Sequence, residues 1–461
     1  MGKKIGVVIT DGVGYRNFVM SDFLNEASKK FSEVILYSGL PISTFNLQGY
    51  DNITLRELEV FKEPRNTWFL RRLKEIAHLF KNKRDNFGIS DTLSFNKPKG
   101  FTKRSVLNRL VYVLTYFFHS EKNIITYEKW QFLSFAKNKV AKSYLKHFDK
   151  DKPDLLFFTH QRPSYLAPVL AAAQKLEIPT TTFIFSWDNL ASKGRMLGEF
   201  DKYLVWSELM KEELLQFYPR TNAENIHVVG TPQFEPYVLK RYEVDKIEFF
   251  GKFNLDINKK VICYSCADSS IGKNDETHIR SLWNYISQHD DLQLLIRTSP
   301  AEDGGRFQRL KKDIPQLRWN IPKWIQTRKE HAESWSQRLP TKEDIIDLKA
   351  ILTFAHVNVN MLSTMSLDFM LFDKPVVNTV FGNDVNGLYN DQRFLNYKHY
   401  KHVVDSNAVT IAKNEKELHK HLDEALNQPS LRTDYRKEIL QLEIGEKLEG
   451  TSARLVKALM V

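Results

Sequence analysis

The sequence predicts an α/β protein of two domains, each a parallel sheet wound with helices, and three observations predict it. Short apolar runs alternate with stretches of helical periodicity, the grammar of strand–helix–strand units. That grammar runs twice, before and after a weakly patterned stretch with two prolines at 232–258. The length, 461 residues, suits two to three domains of about 150 residues each.

Residues 5–10 form a continuous β-rich run that ends in the turn Asp11-Gly12-Val13-Gly14. Phe18, Phe23, Leu24, Ala27 and Phe31 follow on one helical face, and 33–37 is the next strand. The pattern resumes with strands at 154–158, 179–186, 202–206 and 225–229, and helices at 164–176 and 208–217. In the second half, strands are expected at 260–265, 292–296, 357–360 and 375–380. Thr341 with Asp344 three residues on reads as a capping-box-like helix start, and 414–461 reads as helical. The expected boundaries are 1–240 for the first Rossmann-like domain, with an insertion at about 62–150, 255–440 for the second, and a C-terminal helix over 441–461.

Composition narrows the class. Hydrophobic residues make up 42% and charged residues 27%, enough to bury a sizeable core. The net charge of +11 is local: residues 62–150 hold 20 basic and 7 acidic side chains, the rest of the chain 47 and 49. A uniformly basic nucleic-acid coat is thereby excluded. Cys263 and Cys266 alone support neither a disulfide framework nor a four-cysteine zinc site, so no metal is expected. Five apolar residues before Asp11 are too few for a signal peptide, and the apolar stretch 110–118 falls short of the ~20 residues that span a bilayer. The expected location is cytoplasmic, with peripheral contact at the inner face of the cell membrane left open.

Candidate chemistry gathers at strand ends, where open α/β sheets bind ligands. Gly12 and Gly14 resemble the start of a dinucleotide fingerprint, but Asn17 stands in place of the third glycine and no acidic residue ends the second strand. That argues against NAD, and no cofactor is expected. The glycines read as a tight turn in preference to a phosphate cradle, or as a close backbone approach to an acceptor. Asp188 follows a buried strand with Trp187 and Asn189: a general base flanked by a stacking ring, or a helix cap beside a core tryptophan. His160, at another strand end, can accept a hydroxyl proton or serve as a structural hydrogen-bonder. Small residues Ser265, Cys266 and Ala267 would let backbone amides approach an anion, and Arg297-Thr298 would neutralise a diphosphate or form a salt bridge. The turn Ser363-Thr364-Met365 opens a helix carrying Asp368, and its free amides suit a phosphate as well as a plain N-cap would explain them.

These motifs resemble the GT-B glycosyltransferase superfamily, which includes UDP-glycosyltransferases and glycogen phosphorylase. Ser363, Thr364, Asp368 and Lys374-Pro375 follow the order of its donor-binding "Ser/Thr turn, acidic residue, Gly/Lys-Pro" helix. The family's usual glutamate is Asp368 here, and Met361-Leu362 stands where a Gly-Gly pair often precedes the serine. Segments 186–190, 205–208 and 229–232 resemble bacterial surface-polysaccharide members. The resemblance implies two Rossmann-like domains facing across a cleft, with a basic helical insertion in the N-terminal one. It implies metal-independent transfer of a sugar from a nucleotide-sugar donor to a glycan or lipid-linked acceptor, in polysaccharide biosynthesis, and inversion is expected because a single base in the acceptor domain suffices for it. Asp188, His160 and Asp11 become the candidate bases, Gly12, Gly14, Trp187 and Asn189 the acceptor contacts, and Ser265, Cys266, Ala267, Arg297, Thr298, Ser363, Thr364, Met365 and Asp368 the donor contacts.

Three other functions fit the same features: a CDP-glycerol-type glycerophosphotransferase, a sugar-nucleotide 2-epimerase, and polyanion binding through the basic insertion without catalysis. Nucleic acid is not the expected partner. Within the insertion Val106, Leu107, Leu110, Val111, Leu114, Phe117 and Phe118 follow helical apolar spacing beside Lys103, Arg104 and Arg109. Such a helix either packs into the core or lies in an anionic membrane interface.

Overall fold

The computed structural model describes residues 2–329, 331, 333–382 and 389–461. The chain divides into two compact units, one of residues 1–235, 327–337 and 445–461, the other of 236–326 and 338–444.

The first unit is built on seven parallel strands: β1 (Lys4–Ile9), β2 (Glu33–Ser38), β3 (Ile53–Glu57), β4 (Leu155–Phe158), β5 (Thr180–Phe183), β6 (Lys202–Val205) and β7 (Ile226–Val228). Their order is β3-β2-β1-β4-β5-β6-β7, so the chain reverses direction across the sheet between β1 and β4. Central β1 is buried on both faces, which its unbroken apolar run requires. Gly6 within it is a packing residue, since a Cβ there would meet the Tyr37 ring at 2.7 Å. The apolar stretch after the first turn splits into α1 (Gly12–Phe18) and α2 (Phe23–Lys30), because Ser21 turns its hydroxyl onto the Phe23 amide. Phe18, Phe23 and Phe157 then pack ring against ring at 5.3–5.6 Å.

The β3-to-β4 connection holds five helices: α3 (Arg65–Asn82), α4 (Phe87–Phe95), α5 (Lys103–Phe117), α6 (Glu121–Leu133) and α7 (Lys139–Asp151). Asn86, Thr102, Ser120 and Asn138 each cap the helix that follows through a side-chain oxygen. Helix α3 is the centre, packing on α4, α5 and α6. Buried Lys74 donates to the Leu197 carbonyl, with Glu128 3.8 Å away. Beyond α8 (Ala167–Lys175), the C-terminal helix Thr451–Met460 packs on α2. The Ser452 amide at its start donates to Glu235.

The second unit carries six parallel strands and a hairpin. In chain order they are β8 (Lys260–Ser265), β9 (Leu292–Arg297), β10 (Arg318–Asn320), β11 (Trp324–Gln326), β12 (Arg338–Pro340), β13 (Val357–Asn360), β14 (Val376–Thr379) and β15 (Thr410–Ala412). The parallel order is β10-β9-β8-β13-β14-β15, and β11 pairs antiparallel with β12. Ile262, Tyr264, Ile296, Val359 and Val377 centre its core under the helices Asp275–Ile286 and Glu415–Asn427. Thr341 caps helix Lys342–Phe354 through the Asp344 amide, as its sequence predicts.

Strands β3, β10 and β15 and the hairpin escape the sequence reading because they have three to five residues and lie at edges, with no long apolar run. Residues 414–461 form three helices rather than one run, broken near Pro429 and at Gly445 and Gly450, whose φ values of +77° and +74° suit glycine. Among the described residues no helix is long and apolar enough to cross a membrane.

Candidate functional site

In the first unit, the carboxyl ends of β1, β4 and β5 bring together Asp11, His160 and the segment 185–189. Asp11 caps α1, with one carboxylate oxygen accepting the Gly14 amide at 2.8 Å. Its other oxygen lies 3.2 Å from His160 Nδ1. With Asp11 ionised, that bond needs the proton on Nδ1, which leaves the lone pair on Nε2. Burial holds the His160 pKa below its usual value, against the upward pull of Asp11, so the ring is neutral near pH 7. Gly14 keeps room for the pair, since a Cβ would sit 3.1 Å from the Thr159 hydroxyl and 3.5 Å from the Asp11 carboxylate.

The imidazole is also held from its face. Phe185 stacks on it at 3.7 Å with an 8° tilt. Gln161 fixes Phe185 by accepting its amide at 3.1 Å and donates to Asn189 at 2.9 Å. Trp335 stands 6.3 Å from the His160 ring, edge on. The sequence reading missed Gln161, Phe185 and Trp335, although Gln161 directly follows the strand-end histidine. Arg162, which lowers the His160 pKa further, keeps one buried guanidinium nitrogen without a hydrogen-bond partner among the described residues.

The remaining first-unit candidates fall elsewhere. Asp188 pairs with Lys193 at 3.2 Å and accepts the Asn189 amide at 3.0 Å, at the start of the turn Asn189–Ser192. Trp187 is buried, so its ring packs in the core rather than offering a stacking face. The Asp11 carboxylate takes the Gly14 amide at the start of α1, so the Gly12-Gly14 turn is capped by an acid, which disfavours a phosphate cradle there.

In the second unit, sheet register sets Ser265 beside Arg297 and Asn360 beside Ser265. Most side chains there are engaged within the protein. Arg297, 4% exposed, donates to Asn320 and in a fork to both oxygens of Asp344 at 3.0 and 3.2 Å. The guanidinium expected to face a diphosphate therefore forms a buried ion pair. Its strand-end position placed it beside Asp344, the third residue of a helix that the sequence reading had recognised only for its cap. Ser265 Oγ accepts from Asn358 at 2.9 Å, and Asp368 accepts the Tyr237 hydroxyl. Cys266 is buried, and its backbone amide donates to the Arg297 carbonyl at 2.9 Å, so that amide is engaged within the protein. The Ala267 carbonyl accepts Arg306 at 2.9 Å.

At the turn after β13, backbone amides are engaged as well. Leu362 holds φ at +49°, the left-handed region a glycine would favour, at one of the two positions where the resembled family often has a Gly-Gly pair. The Ser363 amide donates to Asn360 at 2.8 Å, and Ser363 Oγ accepts the Met365 amide at 3.0 Å. Thr364 is the N-cap of helix Met365–Met370. The Thr298 hydroxyl is buried and has no hydrogen-bond partner among the described residues. Under the turn lies a polar network absent from the sequence reading, in which Asn360 and Asn378 meet Ser366 and the Tyr400 hydroxyl. Among the described residues no cluster of His, Cys, Asp and Glu is arranged to hold a metal ion.

No family model and no curated protein matches the sequence. Solved structures do match in fold. A putative UDP-N-acetylglucosamine 2-epimerase from Listeria monocytogenes aligns with a TM-score of 0.56 at 10% identity, over 100% of this chain and 96% of that one. S. aureus MnaA, solved with UDP, aligns at 0.51 and 10% identity, over 99% and 96%. Anabaena HepE, solved with UDP, aligns at 0.50 and 9% identity, over 99% of each chain. The chain has the two-domain GT-B-like α/β fold that its motifs resemble.

Proposed function

We propose that the protein is a GT-B glycosyltransferase that moves a sugar from a nucleotide-sugar donor to a hydroxyl of a glycan or lipid-linked acceptor at the inner face of the cell membrane, in surface-polysaccharide synthesis. The observation that carries this reading is the Asp11–His160 pair, a neutral imidazole oriented by a buried carboxylate with its Nε2 lone pair available. In this reaction the acceptor hydroxyl gives its proton to Nε2 while its oxygen attacks the anomeric carbon. The bond from that carbon to the diphosphate breaks, and the electron pair leaves on the nucleoside diphosphate. Inversion follows from a single displacement. Asp11 stabilises the imidazolium that forms. Asp188, tied to Lys193, is the weaker base candidate.

For the donor we assign the turn 363–365 and the Thr298 hydroxyl as diphosphate contacts, with a diphosphate taking the place of the bonds that the Ser363 and Met365 amides make to Asn360 and the Ser363 hydroxyl oxygen. MnaA and HepE, both solved with UDP, support UDP as the nucleotide. An acceptor that carries negative charge suits the unpartnered Arg162 nitrogen.

A second reading is a sugar-nucleotide 2-epimerase, favoured by the activity that the Listeria protein's description and that of a Neisseria meningitidis structure carry. One assay separates the two. With a panel of nucleotide sugars, a transferase releases nucleoside diphosphate in step with sugar incorporated into an acceptor. An epimerase interconverts the donor with no acceptor present. Thermal melting checks the donor side: a nucleotide at 100 times its dissociation constant adds about 2.7 kcal/mol. If no nucleotide raises the melting temperature, the reading fails.

A further inference from the structure

The amphipathic helix of the insertion faces the opposite way from a core helix. On α5 the side chains turned into the protein are Ser105, Val111 and Thr115, two of them polar. The stripe Val106, Leu110, Val113 and Phe117, at i, i+4, i+7 and i+11, faces solvent, with Val113 58% and Phe117 70% exposed. Before the helix Phe95 and Phe101 stand out at 78% and 88% exposed. After it the apolar surface continues: the Tyr127 hydroxyl donates to the Phe118 carbonyl, and Tyr127 touches exposed Trp130 at 6.0 Å between ring centres. Leu133, a turn further on, is exposed and lines a cavity of about 630 Å³ walled by α6, α7 and α8, at whose edge Lys129, Lys142 and Lys175 stand.

Charge accompanies this surface. From residue 92 to 120 there is no acidic side chain and there are five cations: Lys97, Lys99, Lys103, Arg104 and Arg109. Arg109 lies over the Phe101 ring at 4.5 Å and Arg104 over Trp68 at 5.2 Å, so aromatic and cationic groups are interleaved. A contiguous exposed apolar patch of this kind marks an interaction site. A second copy of the chain would set five cations against five. An anionic bilayer satisfies both halves at once, with the apolar stripe in the headgroup–acyl boundary and the cations among the headgroups.

We infer that the face formed by the α4–α5 connection and the outer stripe of α5 docks the protein on an anionic membrane surface, with α5 lying in the plane of the interface. The inference stands independently of the catalytic assignment. It is tested by co-sedimentation of the full chain with vesicles of phosphatidylcholine alone or mixed with phosphatidylglycerol, at low and high salt. Wild type should pellet with the mixed vesicles only, and high salt should release it. Leu110→Glu/Phe117→Glu, on exposed positions, should abolish pelleting with melting temperature unchanged, and Lys99→Glu/Lys103→Glu should weaken it at least about tenfold. His160→Gln should pellet like wild type, which separates failure of docking from failure of the catalytic reading. The inference is overturned by equal pelleting with neutral vesicles, by no pelleting with either, or by variants that pellet like wild type. It is overturned equally if sedimentation equilibrium shows a dimer that Leu110→Glu/Phe117→Glu dissolves, because the face then belongs to a second copy.

Discussion

At the carboxyl edge of the seven-stranded sheet, the polar side chains end in an imidazole whose Nδ1 is held by Asp11 and whose Nε2 keeps its lone pair. At the same edge of the six-stranded sheet they end in one another: Arg297 in Asp344 and Asn320, Ser265 in Asn358, Asp368 in Tyr237. The central strand orders are equivalent, with the chain returning after the third strand to the far side of the first in both, so topology does not make the difference. The difference lies in what stands at the strand ends. The first edge offers a titratable side chain, the second a shaped backbone turn over a saturated polar floor. Side-chain chemistry at the first edge suits proton transfer, whereas at the second the Ser363 and Met365 amides are held by Asn360 and the Ser363 hydroxyl oxygen.

The comparison breaks most readily at the dyad. His160→Gln should lower kcat by about 10²–10⁴-fold with the donor KM held, measured by nucleotide release under acceptor. The acid limb of the wild-type kcat/KM profile should fall below the usual imidazole range, because burial lowers the His160 pKa. Asp11→Asn keeps an oxygen for the Gly14 amide but removes the charge that raises the imidazole pKa, so that limb should move to still lower pH with a large loss in rate. Asp344→Ala should act on stability instead, leaving Arg297 buried without its counter-ion at a cost of about 3–5 kcal/mol in urea unfolding. Exchanging both partners for apolar residues should recover much of that loss. If Asp344→Ala abolishes nucleotide binding at unchanged stability, the second edge is not saturated as described.

Smaller effects sharpen the contrast. Asp275 accepts the Tyr264 hydroxyl at 2.7 Å and Arg306 at 2.7 Å, yet burial pushes its carboxyl up to about 6 from 3.8. A raised folded-state pKa means that its contribution to stability is full below about pH 4 and is lost as pH rises through 6. Asp275→Asn removes that slope, so unfolding of the variant should gain on wild type by about 3 kcal/mol from pH 4 to pH 7. Least of all, Gly6→Ala should cost about 1–3 kcal/mol by overpacking β1 against Tyr37, with the dyad's pH profile unmoved.

Some of this was legible in the residues. Buried parallel strands advertise themselves as apolar runs, so β1, β2, β4, β8, β9, β13 and β14 were readable, as was the Thr341 cap. His160 and Asp11 were both named as strand-end candidates, but 149 residues separate them, and nothing local says that β1 and β4 are neighbours. Arg297 was assigned to a ligand because its partner Asp344 lies 47 residues on, on a different element. On α5 the period was visible, but which arc of the helix was buried was not: Val111 turns inward while Val106, Leu110 and Phe117 turn out. Helical spacing fixes which residues share a face; only the neighbours decide whether that face meets protein or solvent.

By itself the sequence determined the α/β class, the two rounds of strand and helix, the concentration of positive charge between 62 and 150, and a short inventory of strand-end polar residues. These are local properties, written in periodicity, turn chemistry and charge counts. The tertiary structure alone decided which of those residues met: it joined Asp11 to His160, gave Arg297 to Asp344, buried Trp187 and turned the apolar stripe of α5 outward. The physical reason is that a side chain's protonation, charge balance and exposure are set by groups brought near through strand order and helix packing, and those neighbours lie far away along the chain.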